Sequence, residues 1–253
     1  MIRAASLSLQ GKRSSNQDRV LIVPNTDWDD GIVAVVADGL GGMQAGNHAA
    51  QIAVDTIGKV ATDLLVRMSH DATDARRFLV EAYQRSNDAI RSYAQAHAQT
   101  GAIGTTLVTL VAWGSRYLVI NSGDSRTYRV DRTGVKQITR DHTAADTLLR
   151  DGLLTPQDYE SSPLRNHLTR CLGPNEDCEP EIFPDNDFGT IDFDCTFLLC
   201  SDGFYSKLSS EDFAQFDSDS VHLERLLEKL AMKALQRGSA DNLSAIAVRF
   251  ESA

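Results

Sequence analysis

The stretch GIVAVVADGLGG, residues 31–42, decides the fold. Its first seven residues, Gly31 to Ala37, form a short run rich in valine and isoleucine. Such a run suits a buried strand and is too short for a helix. It ends in Asp38-Gly39 and a cluster of glycines, which turn the chain. A helix should follow at once. Ala45, Ala49, Ile52, Ala53, Ile57, Val60, Ala61, Leu64 and Leu65 recur at helical spacing.

On the N-terminal side, residues 2–10 and 19–24 alternate as strands do. On the C-terminal side, a second helix fits 74–97, with Phe78, Leu79, Tyr83, Ile90 and Ala94 on one face. The period then falls to two. Thr105 to Ala112 alternates, Gly114-Ser115 turns the chain, and Tyr117 to Asn121 returns. Arg126 to Val130 and Val135 to Ile138 form another hairpin around DRTG. Phe197 to Cys200 is a short apolar strand, Leu223, Leu226, Leu227, Leu230 and Ala234 mark a late helix, and Leu243 to Phe250 closes the chain as a strand. Strands come in hairpins and long helices in pairs between them, which is not the βαβ alternation of a parallel sheet. The chain therefore reads as α+β: antiparallel sheets packed together with helices outside. No linker, repeat or low-complexity stretch divides it, so 1–253 reads as one domain. Segment 143–190 is the least regular, and is either functional or carries small helices.

Bulk properties exclude several classes. A chain of 253 residues buries enough surface to fold without disulfides or structural zinc. The net charge is −10 and no run of Lys or Arg occurs, which argues against nucleic-acid binding. An acidic excess is usually a solvated surface, but it also suits carboxylates awaiting cations. Cys171, Cys178, Cys195 and Cys200 form no C-x-x-C and no zinc spacing. They read as buried or incidental thiols of a reducing compartment. The first residues lack a signal-peptide core, and no apolar run reaches the ~20 residues of a membrane span. A cytoplasmic protein with no membrane partner is expected.

Candidate chemistry lies in five acidic turns, each beside an apolar run: Asn16-Gln17-Asp18, Ala37-Asp38-Gly39, Asn121-Ser122-Gly123-Asp124-Ser125-Arg126, Ser201-Asp202-Gly203 and Asp241-Asn242. Hard cations such as Mg²⁺ and Mn²⁺ take oxygen ligands from carboxylates, carbonyls and water. A neighbouring glycine lets the backbone bend and present its carbonyl. Asp-Gly alone is a common turn dipeptide, so any single one counts for little. The weight lies in the set.

The set resembles the type-2C, metal-dependent (PPM) family of Ser/Thr protein phosphatases, in its compact bacterial single-domain form. Gly11 to Asp18 (GKRSSNQD) and Val36 to Gly42 (VADGLGG) resemble its first two motifs. Gly104-Thr105-Thr106, Asn121 to Arg126, Thr139 to His142, Leu168 to Gly173, Ser201 to Gly203 and Ser239 to Ser244 follow in the family's order. The resemblance runs from about residue 10 to 250.

It implies a four-layer α-β-β-α sandwich, two packed antiparallel sheets flanked by helix pairs, with a metal centre in a cleft at one end. Two Mn²⁺ or Mg²⁺ ions are implied, with a weaker third. Asp38 would bridge the two ions and the Gly39 carbonyl would bind one. Asp202 and Asp241 would hold the other. Asp18 would act mostly through water, and Asp124 with Asp202 would hold the third. Arg13 would grip the substrate phosphate in bidentate fashion. A water between two cations loses its proton readily and attacks phosphorus in line, so no cysteine or serine nucleophile is implied. Segment 143–170 matches the family's flap beside the active site.

Other residues stay open. His142 is either a supporting, substrate-side group or a satisfied structural histidine, and His48 reads as structural. Thr106 and Asn242 are expected to tie loops together. The chain departs from many relatives at Gln17, where Glu is common, at Leu40, where some carry a proton-donating His, and at Met43. None of these replaces a direct metal ligand. An active phosphatase of phosphorylated Ser/Thr proteins is therefore expected, a monomer opposing a kinase. A silent phosphoprotein-binding module and a phosphatase of small phosphate esters are the alternatives.

Overall fold

In the computed structural model, which describes residues 1–25, 31–41, 45–68, 71–97, 103–191, 194–218 and 222–251, the run at 31–37 opens a ten-residue strand. In chain order the strands and helices are β1 (Ile2–Leu9), β2 (Asp18–Pro24), β3 (Gly31–Leu40), α1 (Ala45–Met68), α2 (Ala72–Ala96), β4 (Gly104–Thr105), β5 (Leu107–Trp113), β6 (Arg116–Ser122), β7 (Arg126–Asp131), β8 (Gly134–Gln137), α3 (Ala144–Arg150), α4 (Pro156–Ser161), β9 (Glu181–Phe183), β10 (Gly189–Thr190), β11 (Cys195–Cys200), α5 (Asp202–Tyr205), α6 (Ser210–Phe213), α7 (Leu223–Gln236) and β12 (Leu243–Phe250). Gly42 of the second motif, and Met43 after it, lie outside the described residues.

One sheet has the order β1-β12-β11-β7-β8. The other has β10-β6-β5-β3-β2, with β9 also on β6 and β4 on the end of β3. Every pairing is antiparallel. The alternation of β3 explains its unbroken apolar sequence. Val33, Val35 and Ala37 face a core shared with α1 and α2. Ile32, Ala34 and Val36 face a second core between the two sheets. A strand buried on both faces cannot show the polar-apolar alternation of a half-exposed one.

The same division recurs in the other sheet. Leu243, Ala245 and Ala247 of β12 face α7, while Ile246, Val248 and Phe250 face the opposing sheet. Three apolar cores thus separate four layers. The outer layers differ in make-up. Two long helices cover the seven-stranded sheet. Over the narrower five-stranded sheet, α7 is joined by Phe204, Tyr205, Phe213 and Phe216 from short helical turns.

Polar anchors lock the layers. The buried Tyr83 hydroxyl of α2 lies 2.9 Å from the Ile120 carbonyl and 3.0 Å from the Thr109 hydroxyl. Its sequence position marked it only as part of an apolar face. Arg249 is fully buried, and its Nη1 donates to the Phe216 carbonyl at 3.0 Å. The second helix begins at Ala72, capped by Asp71, whose carboxylate accepts from Thr73 N at 2.7 Å. Segment 143–190 carries α3, α4, a 3-10 turn at Pro163–Asn166, and two short strands. The ends of the flap are zipped together: Ala144 N donates to His167 O at 2.9 Å and Thr169 N to His142 O at 2.8 Å.

Asp212 of α6 ties that short helix to α7. Its carboxylate accepts from Ser209 N at 3.0 Å, pairs with Lys233, and pairs with Arg237 at 2.7 Å. Burial pushes this carboxyl up, but the Lys233 and Ser209 hydrogen bonds and Arg237 outweigh it and hold it down at about 2. A carboxyl depressed on folding stabilises above the unfolded-state pKa, near 4, and loses that stabilisation as pH falls through 2. Both cations are more than a third exposed, so solvent reduces the contribution to about 1 kcal/mol. We expect Asp212→Asn to lower the urea midpoint at pH 7, with the gap from wild type closing as the pH falls from 4 through 2. Urea melts across that range check it.

Candidate metal centre

Five strand ends build the site. β2 and β3 pair with Asp18 directly opposite Asp38. β6 leads into the turn that carries Asp124, β11 runs into Asp202 at the start of α5, and Asp241 lies just before β12. Three of these ends come from the seven-stranded sheet and two from the five-stranded one, so the sandwich itself holds the carboxylates together. Asp38, Asp124, Asp202 and Asp241 line one cleft of about 330 Å³ with the Gly39 backbone.

Packing these groups has an electrostatic cost. Burial pushes Asp38 well above the usual carboxylate range, and Asp18, Asp202, Asp124 and Asp241 push it further. Burial, then Asp202 and Asp141, raise Asp124 to about 8. Burial and then Asp241 raise Asp202. Asp18 stands behind the cleft wall, 1% exposed, and burial raises it to about 6 despite the Ser201 hydroxyl that donates to its Oδ2 at 2.8 Å.

The backbone around the ring is stapled. Asp38 N donates to the Thr106 hydroxyl at 3.1 Å, Thr106 N returns a bond to Asp38 O at 2.8 Å, and the Thr106 and Ser125 hydroxyls lie 2.8 Å apart. Asn242 holds the loop of the first motif: its amide donates to Gln10 O at 2.7 Å and Ser15 O at 2.9 Å, and its carbonyl accepts from Gln17 N at 2.9 Å. Both residues tie loops as expected from the sequence. The ring glycines also allow close backbone packing. A Cβ on Gly39 would sit 2.2 Å from the Gly46 carbonyl oxygen of α1, and one on Gly203 would sit 1.9 Å from that of Asn242. Close backbone packing excludes side chains there. Gly11 combines both demands, with φ of +61° and a Cβ position 2.0 Å from Asp241 O.

Arg13 projects from the stapled loop at the cleft rim. It is 60% exposed and its Nη2 lies 2.5 Å from Asp241 Oδ2. Gln17 and Leu40 line the same cleft, as do Asn166 and Leu168 from the flap. No sequence signal singled out Asn166, or Ser201 as the partner of Asp18. Arg126 and Asp141 lay inside quoted motifs without a role. They form a two-pronged pair, at 2.8 and 2.6 Å, beside the ring. His142 packs behind the Asp124 turn. Its Nδ1 accepts from Gly123 N at 3.1 Å and its Nε2 faces Glu181 at 3.4 Å, which braces the Asp124 turn from behind. His48 is exposed and stacks on Tyr93 of α2 with centroids 5.1 Å apart.

The residues fit hard divalent cations. The donors are all oxygens, and Asp18 Oδ1 is buried with no hydrogen-bond partner. No three acidic, histidine or cysteine side chains among the described residues close into a ready cage. The carboxylates instead ring an open cleft. Such a cleft has room for ions that keep part of their water, as Mg²⁺ usually does.

A protein phosphatase 2C family model matches residues 8–243. The chain belongs to the protein phosphatase 2C family. It is 30% identical over 239 residues to the serine/threonine phosphatase stp of Listeria innocua, covering 93% of this chain and 90% of that one. It is 29% identical over 235 residues to the protein phosphatase PhpP of Streptococcus pneumoniae, covering 92% and 91%. The structure of the S. agalactiae serine/threonine phosphatase superposes with a TM-score of 0.84 at 25% identity, over 99% of this chain and 100% of that one. The chain is thus a metal-dependent protein phosphatase of α+β architecture.

The glycine contacts make a direct prediction for this phosphatase. Gly39→Ala must push α1 away from β3 and should cost about 1–3 kcal/mol, the usual scale of overpacking. Gly58→Ala, inside α1 with only the end of the Leu21 side chain near at 3.1 Å, should change stability far less. Thermal melts of the two variants with excess chelator test this without any activity assay.

Proposed function

We propose that this phosphatase hydrolyses phosphoserine and phosphothreonine in proteins at the cleft between the strand ends, opposing a Ser/Thr kinase in the cytoplasm as a monomer. One observation carries the reading. Four carboxylates line a single cleft with a fifth behind it, and an arginine stands at the rim. Among the described residues no helix is long and apolar enough to cross a membrane.

Each residue has a physical task. Asp38, Asp202, Asp241 and Asp124, with the Gly39 carbonyl, would hold two Mn²⁺ or Mg²⁺ ions and a weaker third. When bound, such ions supply positive charge for phosphoryl oxygens and acidify water. Asp18 would orient water from behind the wall. Arg13 would offer its planar fork to the phosphate, whose oxygens match it in bidentate geometry. Its contact with Asp241 shows that it reaches the ring. Leu40 lines the cleft and carries no titratable proton, so it cannot deliver one to the leaving oxygen.

A phosphothreonine peptide should be turned over with Mn²⁺ or Mg²⁺ and not with excess EDTA. Asp38→Asn should lower kcat by on the order of 100-fold or more, the scale of losing one group aimed at transition-state charge. In EDTA the same variant should melt at or above the wild-type temperature, because one mutually repelling charge is gone. Near-wild-type turnover by Asp38→Asn would refute the assignment. Arg13→Ala should raise KM about tenfold, more than it lowers kcat, consistent with losing one charge-assisted contact. A folded enzyme inert towards the peptide but active on nucleotides or sugar phosphates would move the reading to small esters. A folded chain inert on all of them would move it to a binding module.

A further inference from the structure

Beside the metal cleft lies a second cleft of about 410 Å³ that shares Asp124, Asp202 and Asp241 with it, and Arg126, Asp141 and Tyr205 also line it. We propose that Tyr205, held by Arg126, is a positioning residue that sets the gap between Asp124 and Asp202, and so the affinity for the weaker third ion. The proposal rests on the reading of these two acids as metal ligands and adds a residue that acts through them.

The backbone alone leaves this gap open. β7 and β11 pair antiparallel, and their last rung joins Arg126 to Cys200. Asp124 lies two residues before that rung and Asp202 two residues after it. A longer ladder would set the two acids opposite each other. Both chains leave the sheet instead, one in the turn from β6 and the other into the single turn of α5. Burial and then Asp202 raise the Asp124 carboxyl. Repulsion between the two acids therefore acts to spread the gap beyond the last rung.

Tyr205 closes it. It stands three residues after Asp202 in the same helical turn, and its hydroxyl donates to the Asp124 carbonyl at 3.0 Å. One side chain thus ties the segment that carries Asp202 to the segment that carries Asp124. The ring is itself held. The Arg126 guanidinium lies 3.9 Å from its centre, a cation–π contact away from bulk water. Arg126 is fixed in turn by two bonds to Asp141, and its Nη1 donates to the Tyr128 hydroxyl at 2.9 Å. Because Arg126 also belongs to the last rung, the clamp is anchored where the two strands are still in register. The contacts of His142 and Thr106 with the Asp124 turn hold it from other directions and do not reach α5. Tyr205 also packs in the apolar core under α7, so a purely structural role is the alternative that a test must separate.

The test titrates the metal-free full chain with Mn²⁺ by calorimetry and counts free Mn²⁺ by electron paramagnetic resonance. Wild type should bind a tight pair of ions and a weaker one, and Asp124→Asn should lose the weaker one. Tyr205→Phe keeps the ring and removes only the hydroxyl. It should weaken the third ion about fivefold, the worth of one neutral hydrogen bond, and leave the tight pair unchanged. Arg126→Lys, which removes the two-pronged fork and the planar contact with the ring, should weaken the same ion selectively. Tyr83→Phe is the matched control: it removes a buried phenol hydroxyl on the α2 side of the seven-stranded sheet. That variant should melt at a lower temperature without a change in any Mn²⁺ affinity. Wild-type affinity for every ion in Tyr205→Phe overturns the proposal, and so does an equal loss at all of them. Loss in Asp124→Asn without loss in Tyr205→Phe rejects the positioning role alone. If wild type binds no weaker ion, or Asp124→Asn keeps it, the reading of Asp124 as a ligand fails and the proposal falls with it.

Discussion

Mutual repulsion among carboxylates is the constraint that the rest of the structure answers. Asp18 and Asp38 sit opposite each other on paired strands, and Asp124, Asp202 and Asp241 converge from three other turns. Burial and like charge together raise Asp18, Asp38, Asp124 and Asp202. A loose framework would relax by letting the acids swing apart. This one does not, because Asp38, Asp124, Asp202 and Asp241 adjoin strands buried on both faces, and Asp18 is paired directly opposite Asp38. The apolar cores hold the ring in a state that favours added positive charge.

Small polar staples convert that rigid scaffold into a site. Asn242 satisfies three backbone groups of the loop that carries Arg13, and Thr106 joins the end of β3 to the Asp124 turn. Gly39 against Gly46 and Gly203 against Asn242 let backbones approach closer than any side chain permits. These contacts place the donors by backbone geometry, which leaves the side chains free to serve a cation or a substrate. The flap is built on the same plan. Its two ends are zipped at 142–144 and 167–169, and residues between 161 and 168 line both clefts.

Much of this was legible in the chain. The unbroken run Ile32 to Ala37, the helical spacing from Ala45, and the period-two stretches gave the layers, because burial on a known face imposes a repeat on the residues. The order of acidic turns gave the ring. Tyr83 and Arg249 were not readable as anchors, since a phenol on an apolar face and an arginine in a closing strand look ordinary until their partners are known. His142 stayed undecided for the same reason: only the Gly123 amide at its Nδ1 shows that it braces the turn.

Local physical chemistry, written in residue order, determined the strands, the helices and the identity of the acidic groups. Tertiary structure alone decided why the glycines are glycines, that Asp18 stands behind the wall rather than in it, and that Arg13 reaches Asp241. The physical reason is distance along the chain. Arg13 and Asp241 lie 228 residues apart, and Ser201 and Asp18 lie 183 apart. No repeat or spacing encodes such pairs; they exist only once two sheets have packed and brought their ends together.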